Sequence, residues 1–363
     1  MKILILGGYG STGKLLAKHL LQQTNHDVIL AGRSLEKADA LAKQLNDERI
    51  STRRIDAANM DSLREGLKGA DFLLVASPTT HHAEMVIQAA LDTGVDYLDV
   101  QLSDAKLAAL RTCEREIIKK GLCFITEAGF HPGLPSAMVR YAAGRLDTIE
   151  SALTAGYLNI GNLPYTEAVD ELMEGFIHYQ AQVYRNGAWT KPSSWDMRKF
   201  DFGPQIGKRD SYSMFFEEMR ALPEMFPTLK NTGFYISGSN WIADLLVTPL
   251  VMIGLKLFPK RGIRPLGKLM WRAMGKAKPP YCVVLKVEAK GLLNGSPVEV
   301  QARCEHEDGY ELTAIPVVAL LMQYESIRKP GLHMMGHLPN PDQLFSDMKK
   351  MGAVINTGSN EKA

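Results

Sequence analysis

Short apolar runs at residues 3–6, 28–31, 72–76, 97–100 and 123–126 alternate with stretches at 12–23, 35–46, 81–93 and 104–120 that carry Leu, Ala, Ile and Val at helical spacing. Runs this apolar predict strands of a parallel sheet buried on both faces, with the intervening helices covering it. Ser34 and Ser103 stand where helix N-caps are needed, and Gly94 and Gly121 where helices stop.

Beyond Pro132 the rhythm changes to a long strand at 149–160, a helix at 166–185 and loops rich in Pro and Trp near 188–207. Residues 281–292 and 297–306 flank Asn294-Gly295 and predict an antiparallel hairpin closed by a tight turn. The stretch 312–324 is apolar almost all round and predicts a buried helix, while Asn340-Pro341 opens a last helix. The expected organisation is a Rossmann domain over 1–130 and an α+β substrate and dimerisation domain over 131–308. A C-terminal segment over 309–355 returns to the first domain, and a frayed tail covers 356–363. The fold class is therefore α/β, a parallel Rossmann sheet with an inserted second domain.

The chain has 363 residues, of which 45% are hydrophobic and 23% charged, with a formal net charge of +2. That balance fits a globular enzyme of about two domains acting on a small molecule, and not a chain that coats nucleic acid. Four scattered cysteines give neither a zinc spacing nor a disulfide framework, and a reducing cytoplasm fits them best. The apolar run after Lys2 is too short for a signal core.

The first strand runs into Gly7-Gly8-Tyr9-Gly10-Ser11-Thr12-Gly13, where Gly8, Gly10 and Gly13 form G-x-G-x-x-G at the start of a helix. In that context Gly8 allows the tight turn, Gly10 admits a pyrophosphate close to the backbone, and Gly13 allows close helix packing. The phosphates would meet the free N–H groups at the helix start. At the end of the second strand Gly32-Arg33-Ser34 has no carboxylate to bind a ribose 2′-hydroxyl. Arg33, Ser34 and Lys37 instead suit a 2′-phosphate, which selects NADP. Ser34 also reads as a plain helix cap, and Arg33 and Lys37 as solvated charges.

From the glycine loop onward the chain resembles the saccharopine dehydrogenase family. The most telling segments are Gly94-Val95-Asp96-Tyr97-Leu98-Asp99 and Thr126-Glu127-Ala128-Gly129-Phe130-His131-Pro132-Gly133, the second matching the family's E-x-G-[LF]-D-P-G loop except that His131 replaces Asp. Residues 331–352 are similar to the family's C-terminal segment. The resemblance implies NADP-linked hydride transfer at a carbon–nitrogen or carbonyl centre. The missing Asp removes a carboxylate that could hold a substrate ammonium group. The other reading is an NADP(H)-binding scaffold or a reductase held at a membrane surface.

Ser77 and Pro78, after the fourth strand, are candidate cofactor contacts, with a capped turn as the plain reading. Asp99, Glu127 and His131 stand at strand ends on the edge where α/β ligands bind and are the candidate catalytic residues. His131 could serve as acid or base, or could satisfy a loop carbonyl. His81-His82 point to different sides of a helix start and suit no shared metal.

Residues 241–258 are strongly apolar, but Asp244 and Pro249 interrupt a run at the short limit for a membrane span. From Leu245 to Lys286 there are nine cations and no acidic residue. The segment 241–278 thus reads either as a homodimer interface or core with a basic rim, or as a peripheral contact with an anionic membrane.

Overall fold

The computed structural model describes residues 1–161, 164–177, 179–193, 196–238 and 240–361. The chain forms two compact units, the first from residues 1–133 and 313–351, the second from 134–312 and 352–363.

The first unit is built on a parallel sheet. Its strands are β1 (Lys2–Leu6), β2 (Asp27–Gly32), β3 (Ile50–Arg54), β4 (Phe72–Val75), β5 (Asp96–Asp99) and β6 (Cys123–Thr126), with Gly331–Met334 added beside β6. Their order across the sheet is Gly331–Met334, β6, β5, β4, β1, β2, β3. Every pairing is parallel. Ile3, Leu4 and Ile5 of β1 are fully buried, as expected of a central strand covered on both faces.

Helices α1 (Ser11–Gln23), α2 (Leu35–Leu45), α3 (Met60–Leu67) and α4 (Ala83–Thr93) follow the first four strands. Ser34 Oγ accepts from the Lys37 N–H at the start of α2, and Gly94, at φ +70°, closes α4. The single helix expected at 104–120 divides at Cys113 into α5 (Asp104–Thr112) and α6 (Glu114–Lys119). The edge strand β3 and helix α3 escaped the hydrophobic pattern. β3 reads Ile-Ser-Thr-Arg-Arg, with no residue fully buried.

The second unit has a mixed sheet whose long central strands are β7 (Thr148–Asn159) and the hairpin of Cys282–Leu293 with Ser296–His306. The hairpin turns at Asn294 and Gly295, both at positive φ. Two expectations fail here. The helix expected to reach residue 185 spans Glu167–Ile177, and Val183–Arg185 is a strand paired with Ala188–Thr190. Asn186-Gly187, at φ +50° and +84°, makes the same kind of turn as Asn294-Gly295 and was the missed signal. The tail expected to fray from residue 356 instead forms Val354–Glu361, antiparallel to Ser296–His306. Gly352, at φ +102°, turns the chain, and Ala353 and Ile355 are buried on either side of exposed Val354, so the segment covers what would otherwise be a free strand edge. Residues 362 and 363 lie outside the described residues.

Candidate active site

The glycine loop is shaped by backbone contacts that leave no room for side chains. The N–H groups of Gly7 and Gly8 both donate to the Ala31 carbonyl, at 2.8 and 3.1 Å, tying the loop to the end of β2. A Cβ on Gly13 would lie 2.1 Å from the Gly7 carbonyl oxygen and 2.8 Å from Gly8 Cα, so α1 starts against the loop itself. A Cβ on Gly10 would meet only the Gly7 oxygen, at 3.1 Å. Gly10 thus opens outward, on the side a pyrophosphate would approach. Ser11 is exposed and Thr12 half-buried at the first turn of α1, where N–H groups have no helical partner.

Tyr9, a candidate cofactor contact as part of the glycine loop, also braces that loop. Its ring packs so tightly on Gly32 that a Cβ there would lie 2.7 Å away, and its hydroxyl accepts from the Ser34 N–H at 3.0 Å. The glycine loop and the Gly32-Arg33-Ser34 corner are thereby held as one piece. Arg33 and Lys37 are exposed beside this corner, while Ser34 Oγ caps α2. Arg54 is also exposed, at the end of β3 in register with Gly32. It is a further cation at the same corner, hidden from sequence reading because β3 itself went unseen.

A second close approach lies beside the loop. A Cβ on Gly7 would fall 2.6 Å from Ser77 Cβ, so the chain leaving β4 crosses directly over the end of β1. The Ser77 hydroxyl is buried and has no hydrogen-bond partner among the described residues. A buried hydroxyl without a partner is costly, on the order of 1–3 kcal/mol, unless a bound group satisfies it. This hydroxyl and the glycine cradle are the two features that fit a dinucleotide. Pro78 is exposed next to it.

The carboxyl edge of the sheet continues outward by a ladder of backbone bonds. Ala76 N–H donates to Leu6 O, Val100 N–H to Val75 O, and Ala128 N–H to Asp99 O. Ser77, Asp99 and Glu127 therefore stand along one edge. Asp99 is fully buried; one of its oxygens accepts from Thr126 Oγ1 at 2.9 Å, and the other lies 3.3 Å from Lys106 Nζ. Lys106 also donates to Gln101 Oε1, which lies 3.5 Å from Thr79 Oγ1. Thr79, Gln101, Lys106 and Thr126 thus join the expected Asp99 in one polar network. Lys106 was missed because a lysine on an amphipathic helix ordinarily faces water.

Glu127 is 3% exposed and has φ +53°, a conformation uncommon for a residue with a Cβ. His131 follows on the same loop, its ring 4.2 Å from that of Phe130. Burial lowers its pKa to about 4, so its imidazole is neutral at neutral pH. The charged imidazolium is therefore scarce at neutral pH, and the ring stands there in its neutral form, with one nitrogen carrying a proton and the other a lone pair. His81 is exposed on the turn Thr80–His82.

Residues 3–121 match the family model described as the saccharopine dehydrogenase NADP binding domain. A carboxyaminopropylagmatine dehydrogenase of Synechocystis sp. is 26% identical over 66% of this chain, and the match spans 63% of that protein's length. A carboxynorspermidine synthase of Vibrio cholerae is 25% identical, with 97% of this chain and 95% of the relative aligned. The L-glutamate-forming saccharopine dehydrogenase of Saccharomyces cerevisiae has the same fold, with a TM-score of 0.69 over 98% of this chain and 99% of its own at 14% identity. With its glycine cradle and its carboxylate-free β2 corner, the chain carries over residues 3–121 an NADP-binding domain of the saccharopine dehydrogenase type, and it shares its fold with the yeast saccharopine dehydrogenase.

Proposed function

We propose that the chain transfers a hydride between NADP(H) and a small molecule at a carbon–nitrogen centre, reducing an imine or oxidising the corresponding amine. The observation that carries this reading is the sheet edge that runs from the glycine cradle through the unpartnered Ser77 hydroxyl to Asp99 and Glu127. Glycines suited to a dinucleotide lie on that edge beside buried polar side chains, which supports the reading, and hydride transfer asks little of a protein beyond orienting the cofactor and moving one proton. The relatives are named for nitrogen compounds: carboxyaminopropylagmatine, carboxynorspermidine and saccharopine.

In this reading Gly8, Gly10, Ser11, Thr12 and Gly13 hold the pyrophosphate, with Tyr9 bracing the loop. Arg33, Ser34 and Lys37 receive the 2′-phosphate, and Ser77 and Pro78 meet the nicotinamide end. Bound NADPH supplies the hydride. Asp99 is locked by Lys106 and Thr126 and positions the edge rather than exchanging protons with substrate. Glu127 and the neutral His131 handle the substrate proton. In the oxidising direction His131 accepts it from the amine; in the reducing direction the same site returns it to the imine nitrogen.

The test is NADPH consumption with pairs of a primary amine and an aldehyde or 2-oxo acid, which form imines in solution. Turnover that requires both partners, with a secondary amine as product, supports the proposal. Turnover on the carbonyl compound alone, yielding an alcohol, contradicts it.

A further inference from the structure

Sixteen large apolar side chains are strongly exposed among the described residues, and eight of them fall between Trp241 and Phe258. Scattered exposed apolar residues are ordinary; this concentration in one segment is not. The segment is a helix, Thr248–Leu257, entered through the wider turn Ala243–Val247. Its inner face is accounted for: Val251 and Leu255 are fully buried with Met173 and Met270. Its outer face is just as apolar. Leu246, Leu250, Ile253 and Leu257 recur at helical spacing, and each is between 57% and 67% exposed.

Charge indicates what covers this face. Lys256, Lys260 and Arg261, together with Arg264 and Lys268 of the adjoining helix Ile263–Met274, are all exposed and make no ion pair among the described residues. The segment from Leu245 to Lys286 contains no acidic residue to neutralise them. Of its nine cations Lys286 does not belong to this surface, since it is buried and paired with Glu288. An apolar helix face with a cationic rim matches the two layers of an anionic membrane surface, acyl chains beneath and negative headgroups above. A second copy of the chain matches less well. A two-fold contact would set each copy's cationic rim against the like-charged rim of the other.

We propose that the outer face of residues 241–258, with the basic rim at 256–268, docks on an anionic lipid surface. The helix lies in the interface and does not cross it; no helix among the described residues is long and apolar enough to span a membrane.

The test is flotation of the purified full-length chain with vesicles of phosphatidylcholine alone or mixed with phosphatidylglycerol. Wild-type protein is expected to float with the anionic vesicles at low salt and to be released at high salt. Near an anionic surface each cation is worth about fivefold in affinity. Lys260→Glu with Arg261→Glu is therefore expected to weaken binding more than tenfold. Leu250→Asp with Ile253→Asp is expected to abolish it. Unchanged NADPH affinity and melting temperature in both variants would show that the fold survives. Absence of flotation, or equal flotation with neutral and anionic vesicles, would overturn the proposal. A wild-type dimer that Leu250→Asp with Ile253→Asp dissociates would also overturn it, because the face would then belong to a second copy.

Discussion

Lys106 sets its ammonium 3.3 Å from an Asp99 carboxylate oxygen, with the two side chains 1% and 0% exposed. Removing one partner of such a pair strands the other charge away from water, at a cost of about 3–5 kcal/mol. Lys106→Met is expected to lower unfolding free energy by that order, and Asp99→Asn by somewhat less, since the amide still meets Thr126 and Gln101. The double variant should recover part of the loss. Denaturant titrations of the three variants check this, and purely additive losses would show that the pair is not coupled.

Gly13 tests the cofactor cradle. A Cβ there would lie 2.1 Å from the Gly7 carbonyl, so Gly13→Ala must push the loop away from α1. Overpacking of this kind costs about 1–3 kcal/mol. The displaced loop should also lose NADPH affinity by about a hundredfold or more. Gly10→Ala meets a single backbone oxygen, at 3.1 Å, and is expected to cost less stability than Gly13→Ala while still weakening NADPH. Fluorescence titration alongside thermal melts separates the two, and equal behaviour of both variants would contradict this account of the loop.

His131 makes stability depend on pH. Its folded pKa, near 4, lies below the ordinary 6.5, so between those values the unfolded chain binds a proton that the folded chain does not. Its contribution is complete above about pH 6.5 and is lost as pH falls toward 4, up to about 3 kcal/mol in all. His131→Gln should flatten the stability profile in that window. An unchanged profile would mean that the ring is accessible to water.

Arg328 donates to both oxygens of Asp96, at 2.6 and 3.0 Å, and Tyr324 donates to the same carboxylate at 2.6 Å. Chain far downstream thus completes the sheet that residues 1–133 begin. Arg328→Met is expected to cost about 1.5–3 kcal/mol, and a chain cut before residue 313 should fail to form a stable first unit. Limited proteolysis and melting of these variants would show it. A truncated chain that melts like the wild type would refute it.

Much of this fold was legible because it repeats. Central strands such as Ile3–Leu6 are apolar on both faces, and Ser34, Ser103 and Gly94 punctuate the helices between them. β3 and α3 were not legible, because an edge strand and a half-exposed helix need little apolar surface. Asn186-Gly187 was as plain a turn as Asn294-Gly295, but the amphipathic stretch before it masked the break. In the candidate site the glycines could be read from type and spacing, as their close backbone approaches show. Lys106, Arg54 and the packing of Tyr9 on Gly32 could not, since they arise from pairings between strands and loops that no local pattern carries.

The central claim is that the glycine loop and the Arg33 corner form an NADP(H) site. Calorimetric titration of the wild type and Arg33→Ala with NADPH and NADH tests it most directly. A charge-assisted contact between Arg33 and a 2′-phosphate is worth about 1.5–3 kcal/mol. The wild type should therefore bind NADPH more than tenfold tighter than NADH, and Arg33→Ala should remove most of that difference while leaving NADH affinity unchanged. Equal affinity of the wild type for both dinucleotides, or a preference that survives Arg33→Ala intact, would contradict the account.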